Sequence, residues 1–577
     1  MSLVRGAWRL LVGIKDALVL VLMLLFFGLL YAGLSLRPNA GAVGHGALLL
    51  NLKGSIVEQP SAVRAGAILS GQQRAHQFRL RDIVGAVDAA ATDDRVKAVV
   101  LDLDGFSGGG QVALEGVGAA LDRVKRAGKP VLAFATGYSD DAYLLAAHAS
   151  EIWLEPMGLA LFAGPGGSRL YYKGLIDKLG VNAHVYRVGK YKSFVEPYTR
   201  SDASPEAKAA DEALAAALWQ GWQADVLRAR PKARIAAYVA DPAAATASGD
   251  LARGAQFAGI VDTLGSRDAF GRRVARLVGT GKRNQDFATV ALAPFVAAHP
   301  PEEGDGRVGV VTVAGDIVDG EADAGRAGGE TIAGIIRRAV AAGKVKALVL
   351  RVDSPGGSAL ASERIRVALA NARERGLPVV VSMGNVAASG GYWVSTAGER
   401  VFAEPATITG SIGVFGIVPT FEGALAKIGV TSDGVKTTPL SGQPDIVGGT
   451  SAAFDTIIQK SIESTYGRFV TLVSMARKLN PDRVNEIGQG RVWDGGSARQ
   501  LGLVDAFGGI DDAVAEAARR AGLDPKAPHA VWLDKPPSWA EAFANAWADQ
   551  DDGDNGQAND LISTMARARM ATLTQAV

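Results

Sequence analysis

Two stretches of this chain read alike at an offset of about 249 residues: VKAVVLDLD at 96–104 returns as VKALVLRVD at 345–353. The echo continues through GKPV (128–131) and GLPV (376–379), EP (155–156 and 404–405), KLGV (178–181) and KIGV (427–430), and GIVD (259–262) and GLVD (502–505). A repeat this long is a whole domain, so the chain is expected to fold as two similar domains in tandem, 46–292 and 307–528. In each, short β-branched runs (99–103 and 131–134; 347–352 and 379–382) alternate with helical stretches, which predicts an α/β fold on a largely parallel sheet. Long amphipathic segments at 205–230 and 453–479 are expected to pack between halves or subunits. Pro, Gly and acidic residues at 293–307 mark the boundary, and a polar, irregular tail occupies 535–577.

Residues 17–36 carry no charge, and twenty helical residues span about 30 Å, enough to cross a bilayer. Arg5, Arg9 and Lys15 precede the run, so the positive-inside rule places 1–16 in the cytoplasm and the rest of the chain outside it, on the periplasmic side in a Gram-negative cell. The run is longer than a signal-peptide core, and no A-x-A site follows, which favours an uncleaved anchor. A net charge of +2 argues against nucleic acid as a partner. With no Cys, thiol catalysis, Cys-ligated zinc and disulfides are excluded. Six His without an HExxH pair make a His-rich metal site an unfavoured reading. GFSGGG at 105–110 and GPGG at 164–167 lack the spacing of a nucleotide-binding loop.

Two Gly-rich segments of the second half could carry chemistry. DSPGGS at 353–358 follows a predicted strand and precedes a helix, so its amides can be aimed at an anion. TITGSIGVFG at 407–416 places Ser411 among small residues that let a substrate backbone approach. The first half is an internal control: the position equivalent to Ser411 is Phe162, so it lacks that nucleophile. The stretch 307–528 has no His, so a triad would have to borrow His184 or His299. A lysine base is the other route to an activated serine. GKYKSFVEP at 189–197 offers Lys190 and Lys192, whereas the matching TTPLS at 437–441 has none. Each half lacks what the other supplies.

Together these residues resemble the signal peptide peptidase A family in its long, duplicated bacterial form, membrane-anchored serine proteases with a Ser-Lys dyad. The resemblance runs from the anchor to about residue 522, and includes AASGGY at 387–392 and QGRVW at 489–493. It implies Clp-protease or crotonase-like domains, Ser411 as nucleophile, Lys192 as base and a homotetramer. Such a base must be neutral near pH 7, which desolvation among Phe194, Val195 and Phe415 can supply. Backbone N–H groups of Gly356 or Gly357 and of Ile412 are the expected oxyanion donors, and no cofactor or metal is required. Hydrophobic peptides, such as signal-peptide remnants, are the expected substrates. A crotonase-like acyl-CoA enzyme and a catalytically silent membrane scaffold are the competing readings.

Overall fold

The computed structural model describes residues 2–35, 44–62, 76–246, 249–281, 286–300, 304–527 and 529–535. Both repeats build an open sheet with the same strand order. In the first half the strands lie in the order Thr289–Ala291, Gly46–Asn51, Val96–Asp102, Val131–Tyr138, Glu151–Ala160 and Thr263–Leu264, all parallel. The second half repeats this as Ala530–Trp532, Val308–Ala314, Ala347–Ser354, Val379–Ala388, Arg400–Ala403 and Ala506–Phe507, again all parallel. Here the last long strand is divided. Ile408–Gly410 pairs separately with the end of Val379–Ala388, and Val492–Asp494 joins it antiparallel. Splitting that strand opens the sheet edge where Ser411 follows.

Helices cover the sheets, so the central strands are continuous apolar runs, not alternating ones. Gln111–Arg126 buries Leu114, Val117, Leu121 and Val124 at helical spacing, and Ala359–Glu374 does the same with Ala361, Ile365, Ala368 and Ala372. Within the expected linker 293–307, Leu292–Ala298 is helical and buries Phe295, so the irregular stretch is shorter than its composition suggests.

The halves are joined by a strand exchange. Asn182–Val188 of the first pairs antiparallel with Val414–Thr420 of the second, from Val188 opposite Val414 to Asn182 opposite Thr420. Each long helix then reaches across. Ala452–Arg477, capped by Ser451 Oγ accepting from Phe454 N–H at 3.2 Å, lies on Asn182–Val188. Pro205–Ala229, capped by Ser204 Oγ accepting from Ala207 N–H at 3.1 Å, touches Val492–Asp494.

The N-terminal helix spans Ser2–Ser35, with side chains described at 12–28. Among the described residues, no helix is long and apolar enough to cross a membrane. The expected span 17–36 extends beyond the described side chains, and nearly all of the expected tail 535–577 lies outside the described residues.

Candidate active site

The strand Val379–Ala388 ends at Ser389, where the chain turns into the short helix Gly390–Ser395. Ser389 is held at φ 52°, ψ −114°, a conformation unfavourable for an L-residue that persists only when its surroundings impose it. A serine at the apex of a sharp strand-to-helix turn presents its hydroxyl outward. The Ser389 hydroxyl does not cap the helix; it lies 3.2 Å from Lys192 Nζ.

Lys192 arrives from the other half, just beyond the exchanged strand Asn182–Val188. Its Nζ is 2.9 Å from Ser411 Oγ and 3.4 Å from Ser411 O, so one ammonium group bridges two serines. The side chain is buried, and the resulting desolvation pushes its pKa from 10.5 down to about 8. Phe415 lies over it, with the ring centre 5.8 Å from Nζ, and Phe194 packs on Phe415 at 5.1 Å. These aromatic groups, with buried Val195, supply the dry wall.

Backbone contacts place this lysine. Glu196, four residues on and fully buried, accepts from Ser204 N–H at 2.9 Å and Ser204 Oγ–H at 2.6 Å, tying the loop to the long helix's N-cap. On the opposite side the 488–491 turn grips both partners. Gln489 O accepts from Tyr191 N–H at 2.9 Å, Arg491 O from Ser411 N–H at 2.7 Å, and Ile412 O from Gly490 N–H at 2.7 Å. A Cβ on Gly490 would stand 2.7 Å from Lys192 Cβ, and one on Gly413 would stand 2.8 Å from Gly490 Cα. Glycine is required at both positions for this approach.

The structure thus brings Lys192 and Ser411 together and adds Ser389, which lies in the AASGGY segment. Its distinguishing signal in the sequence is a place between a β-branched strand and a Gly-Gly helix start. Of the expected oxyanion donors, one is already engaged. Gly356 N–H is already committed to Ser354 Oγ at 3.1 Å. Ile412 is fully buried in the core beyond Ser411. Gly357 holds its place near Ser389: a Cβ on Gly356 would meet Ser389 Cβ at 2.8 Å, and one on Gly390 would meet Gly357 N at 3.2 Å. The amides of Gly357 and Gly390 are therefore neighbours beside the Ser389 hydroxyl.

The other bases lie elsewhere. His184 sits between the hydroxyls of Thr420 and Thr450, each at 3.0 Å. His299 packs on Phe295 and lies 3.0 Å from Asp93. Lys190 Nζ lies over the Tyr191 ring, 5.1 Å from its centre. Among the described residues, no group of three His, Asp or Glu side chains is arranged to hold a metal ion.

A model of peptidase family S49 matches residues 123–280 and 371–524, once in each half. The chain belongs to peptidase family S49. It is 41% identical to Protease 4 of Salmonella typhi over 90% of this chain and 86% of the relative. Protease 4 of Haemophilus influenzae is 38% identical over 89% of this chain and 86% of the relative. The chloroplastic serine protease SPPA of Arabidopsis thaliana is 26% identical over 86% and 72%. This S49 chain is accordingly a serine peptidase of the signal peptide peptidase A type.

Within the S49 chain the first half keeps the architecture and has lost the chemistry. At the repeat offset, Ser389 corresponds to Asp140 and Ser411 to Phe162. Asp141 Oδ2 accepts from Gly109 N–H at 3.1 Å, placing a carboxylate in the Gly-rich turn equivalent to the 353–357 turn. Burial pushes both the Asp140 and Asp141 carboxyls up. Phe162 fills the remaining space against Tyr143 at 4.8 Å and Trp222 at 5.2 Å.

Proposed function

We propose that this peptidase cleaves hydrophobic peptides by a Ser-Lys mechanism, with Ser411 as nucleophile, Lys192 as base and Ser389 holding the lysine. The observation that carries this reading is the position of one dry lysine between two serines. Ser411 is preferred to Ser389 as nucleophile because its hydroxyl lies closer to Lys192 Nζ, 2.9 Å against 3.2 Å, and it sits at φ 51° in a turn of small residues that a substrate backbone can approach. Ser411 is 9% exposed and gives both its hydroxyl and its carbonyl to Lys192 Nζ.

Neutral Lys192 takes the proton of Ser411 Oγ as that oxygen attacks the peptide carbonyl carbon. The oxyanion is received by backbone amides of the surrounding Gly-rich turns, those of Gly357 and Ile412 being the candidates. Collapse expels the amine, which receives the proton from the Lys192 ammonium. Water, deprotonated by Lys192, then hydrolyses the serine ester, and Lys192 returns the proton to Ser411.

Anchoring by the N-terminal helix, with the peptidase outside the cytoplasm, belongs to the same proposal. Its support is the exposed apolar series from Leu18 to Phe27 and the preceding basic residues. Such a location suits remnant signal peptides, and a relative from Enterococcus faecium carries the name putative signal peptide peptidase SppA. A serine-directed phosphonate probe tests the chemistry. Mass spectrometry should find the adduct on Ser411, lost in Ser411→Ala and Lys192→Ala and slowed in Ser389→Ala. An adduct on Ser389 in the parent chain reverses the two roles.

A further inference from the structure

Arg491 stands beside the reactive serine, and the Ser-Lys chemistry leaves its side chain unused. Its carbonyl accepts from Ser411 N–H, and the register that sets Gly410 opposite Val492 continues to Ser411 opposite Arg491. The guanidinium and the nucleophile therefore leave the backbone from adjacent points. The guanidinium carbon lies 4.0 Å from the centre of the Trp493 ring and 5.2 Å from that of Tyr191. Both neighbours are themselves held: Trp493 Nε1–H donates to Ile487 O at 2.9 Å, and Tyr191 N–H to Gln489 O at 2.9 Å. Stacking on fixed rings immobilises a planar cation while leaving the N–H donors at its edge free.

Those donors are unengaged. Among the described residues the Arg491 guanidinium makes no hydrogen bond and no ion pair, and its Nε is buried without an acceptor. A buried donor left unsatisfied is costly, and the cost is relieved when a ligand brings the acceptor. The unpaired charges nearby are positive as well. Arg187, on the strand position opposite Phe415, donates to Lys192 O at 3.4 Å, and Lys190 Nζ lies over the Tyr191 ring. Both side chains are exposed, and neither forms an ion pair among the described residues. The carboxylates of this region have other partners: Glu196 takes Ser204, Asp455 takes the Tyr186 hydroxyl, and Glu463 takes Gln459.

We propose that Arg491 is a specificity-determining residue that receives a carboxylate of the substrate. The paired N–H donors of a guanidinium match the two oxygens of a carboxylate. In an apolar peptide that carboxylate is the C-terminus, so the peptide is read by its free end, with the scissile bond close to it. Within a longer chain, a prior peptide-bond hydrolysis is the class of reaction that supplies such an end. An uncut chain presents an amide at the same place and is disfavoured. The inference rests on the proposed chemistry of Ser411 and Lys192 and adds what that chemistry selects.

The test uses one apolar peptide made as the free acid, as the C-terminal amide, and as an amide with Glu as its last residue. With the full-length protein in detergent, kcat/KM for the free acid should exceed that for the amide by about tenfold or more, the size of a hydrogen bond to a charged group. Arg491→Met keeps an unbranched side chain against the rings without the charge, so the acid-to-amide ratio should fall to near one. Arg491→Lys keeps the charge without the planar fork and should hold an intermediate ratio. Because the ratio is read within each variant, a general loss of activity does not imitate the result. Arg187→Met and Lys190→Met should keep the parent ratio. The Glu-ended amide separates the two sources of carboxylate: turnover matching the free acid, and lost with Arg491, supports carboxylate recognition and extends it to side chains. Equal turnover of acid and amide by the parent, or a preference that survives Arg491→Met, overturns the proposal and leaves the dyad standing, since the phosphonate adduct on Ser411 reads the dyad separately.

Discussion

A buried lysine beside two serines works as a base because of what surrounds its nitrogen. No carboxylate approaches Lys192, so burial acts unopposed, and a pKa of about 8 leaves a useful neutral fraction at pH 7. The kcat/KM for a peptide substrate should therefore rise about tenfold per pH unit below 8 and level off above it. The same shift has a stability consequence. The unfolded chain holds this lysine at its ordinary 10.5, so between about 8 and 10.5 it binds more protons than the folded one. Stability from this group thus rises with pH across that window, and below 8 the full penalty, about 3 kcal/mol, remains. Lys192→Met should be inactive yet more stable than the parent at pH 7 by up to that amount, a difference readable in denaturant melts. Only the family resemblance separates Lys192 from Lys190, but a lysine within 189–197 was legible in the sequence because the second half lacks one at the matching place. Choosing the nucleophile was not, because Ser389 and Ser411 both lie in Gly-rich turns. Both are held at positive φ, 52° and 51°, and the distance to Nζ, 2.9 Å for Ser411 against 3.2 Å for Ser389, is what separates them.

At the scale of elements, two sheets follow from β-branched runs that recur at the repeat offset, and their parallel order follows from the helices between them. The antiparallel exchange of Asn182–Val188 with Val414–Thr420 was not readable, because pairing across more than two hundred residues leaves no local pattern. That exchange and the 488–491 turn hold the reactive groups together. Gly490, at φ 80°, touches Lys192 with no room for a methyl group. Gly490→Ala should move the lysine away from both serines and lower kcat by more than about tenfold, since small displacements of reacting groups are costly in rate. KM should change less, and steady-state kinetics separates the two. Farther out, Ser204→Ala removes both the helix cap and a partner of buried Glu196. It should lower stability by about 1–2 kcal/mol in urea melts.

For the whole molecule, the question is why two halves, each with its own core, stay in one alignment. Besides the strand exchange, side-chain polar contacts cross between the halves, among them those of Asn385 and Arg351. Asn385 donates to Gly109 O at 3.0 Å and accepts from Ala113 N–H at 3.1 Å, linking the Gly-rich turn of the first half to the strand that carries Ser389. Arg351, on the central strand of the second half, reaches Glu58 of the first at 2.9 Å, with both side chains buried. Its other amino group donates to Ser382 Oγ at 2.9 Å and Met383 O at 3.1 Å, while its Nε has no partner among the described residues. An imperfectly satisfied buried pair contributes little net stability, but removing one member strands the other's charge. Glu58→Leu alone should therefore destabilise the chain by about 3–5 kcal/mol, whereas Glu58→Leu with Arg351→Met should recover most of that loss in the same denaturant titration. If the double variant regains stability with depressed kcat, the pair serves alignment of Lys192 on its two serines more than cohesion. If kcat returns with stability, the strand exchange alone sets that alignment.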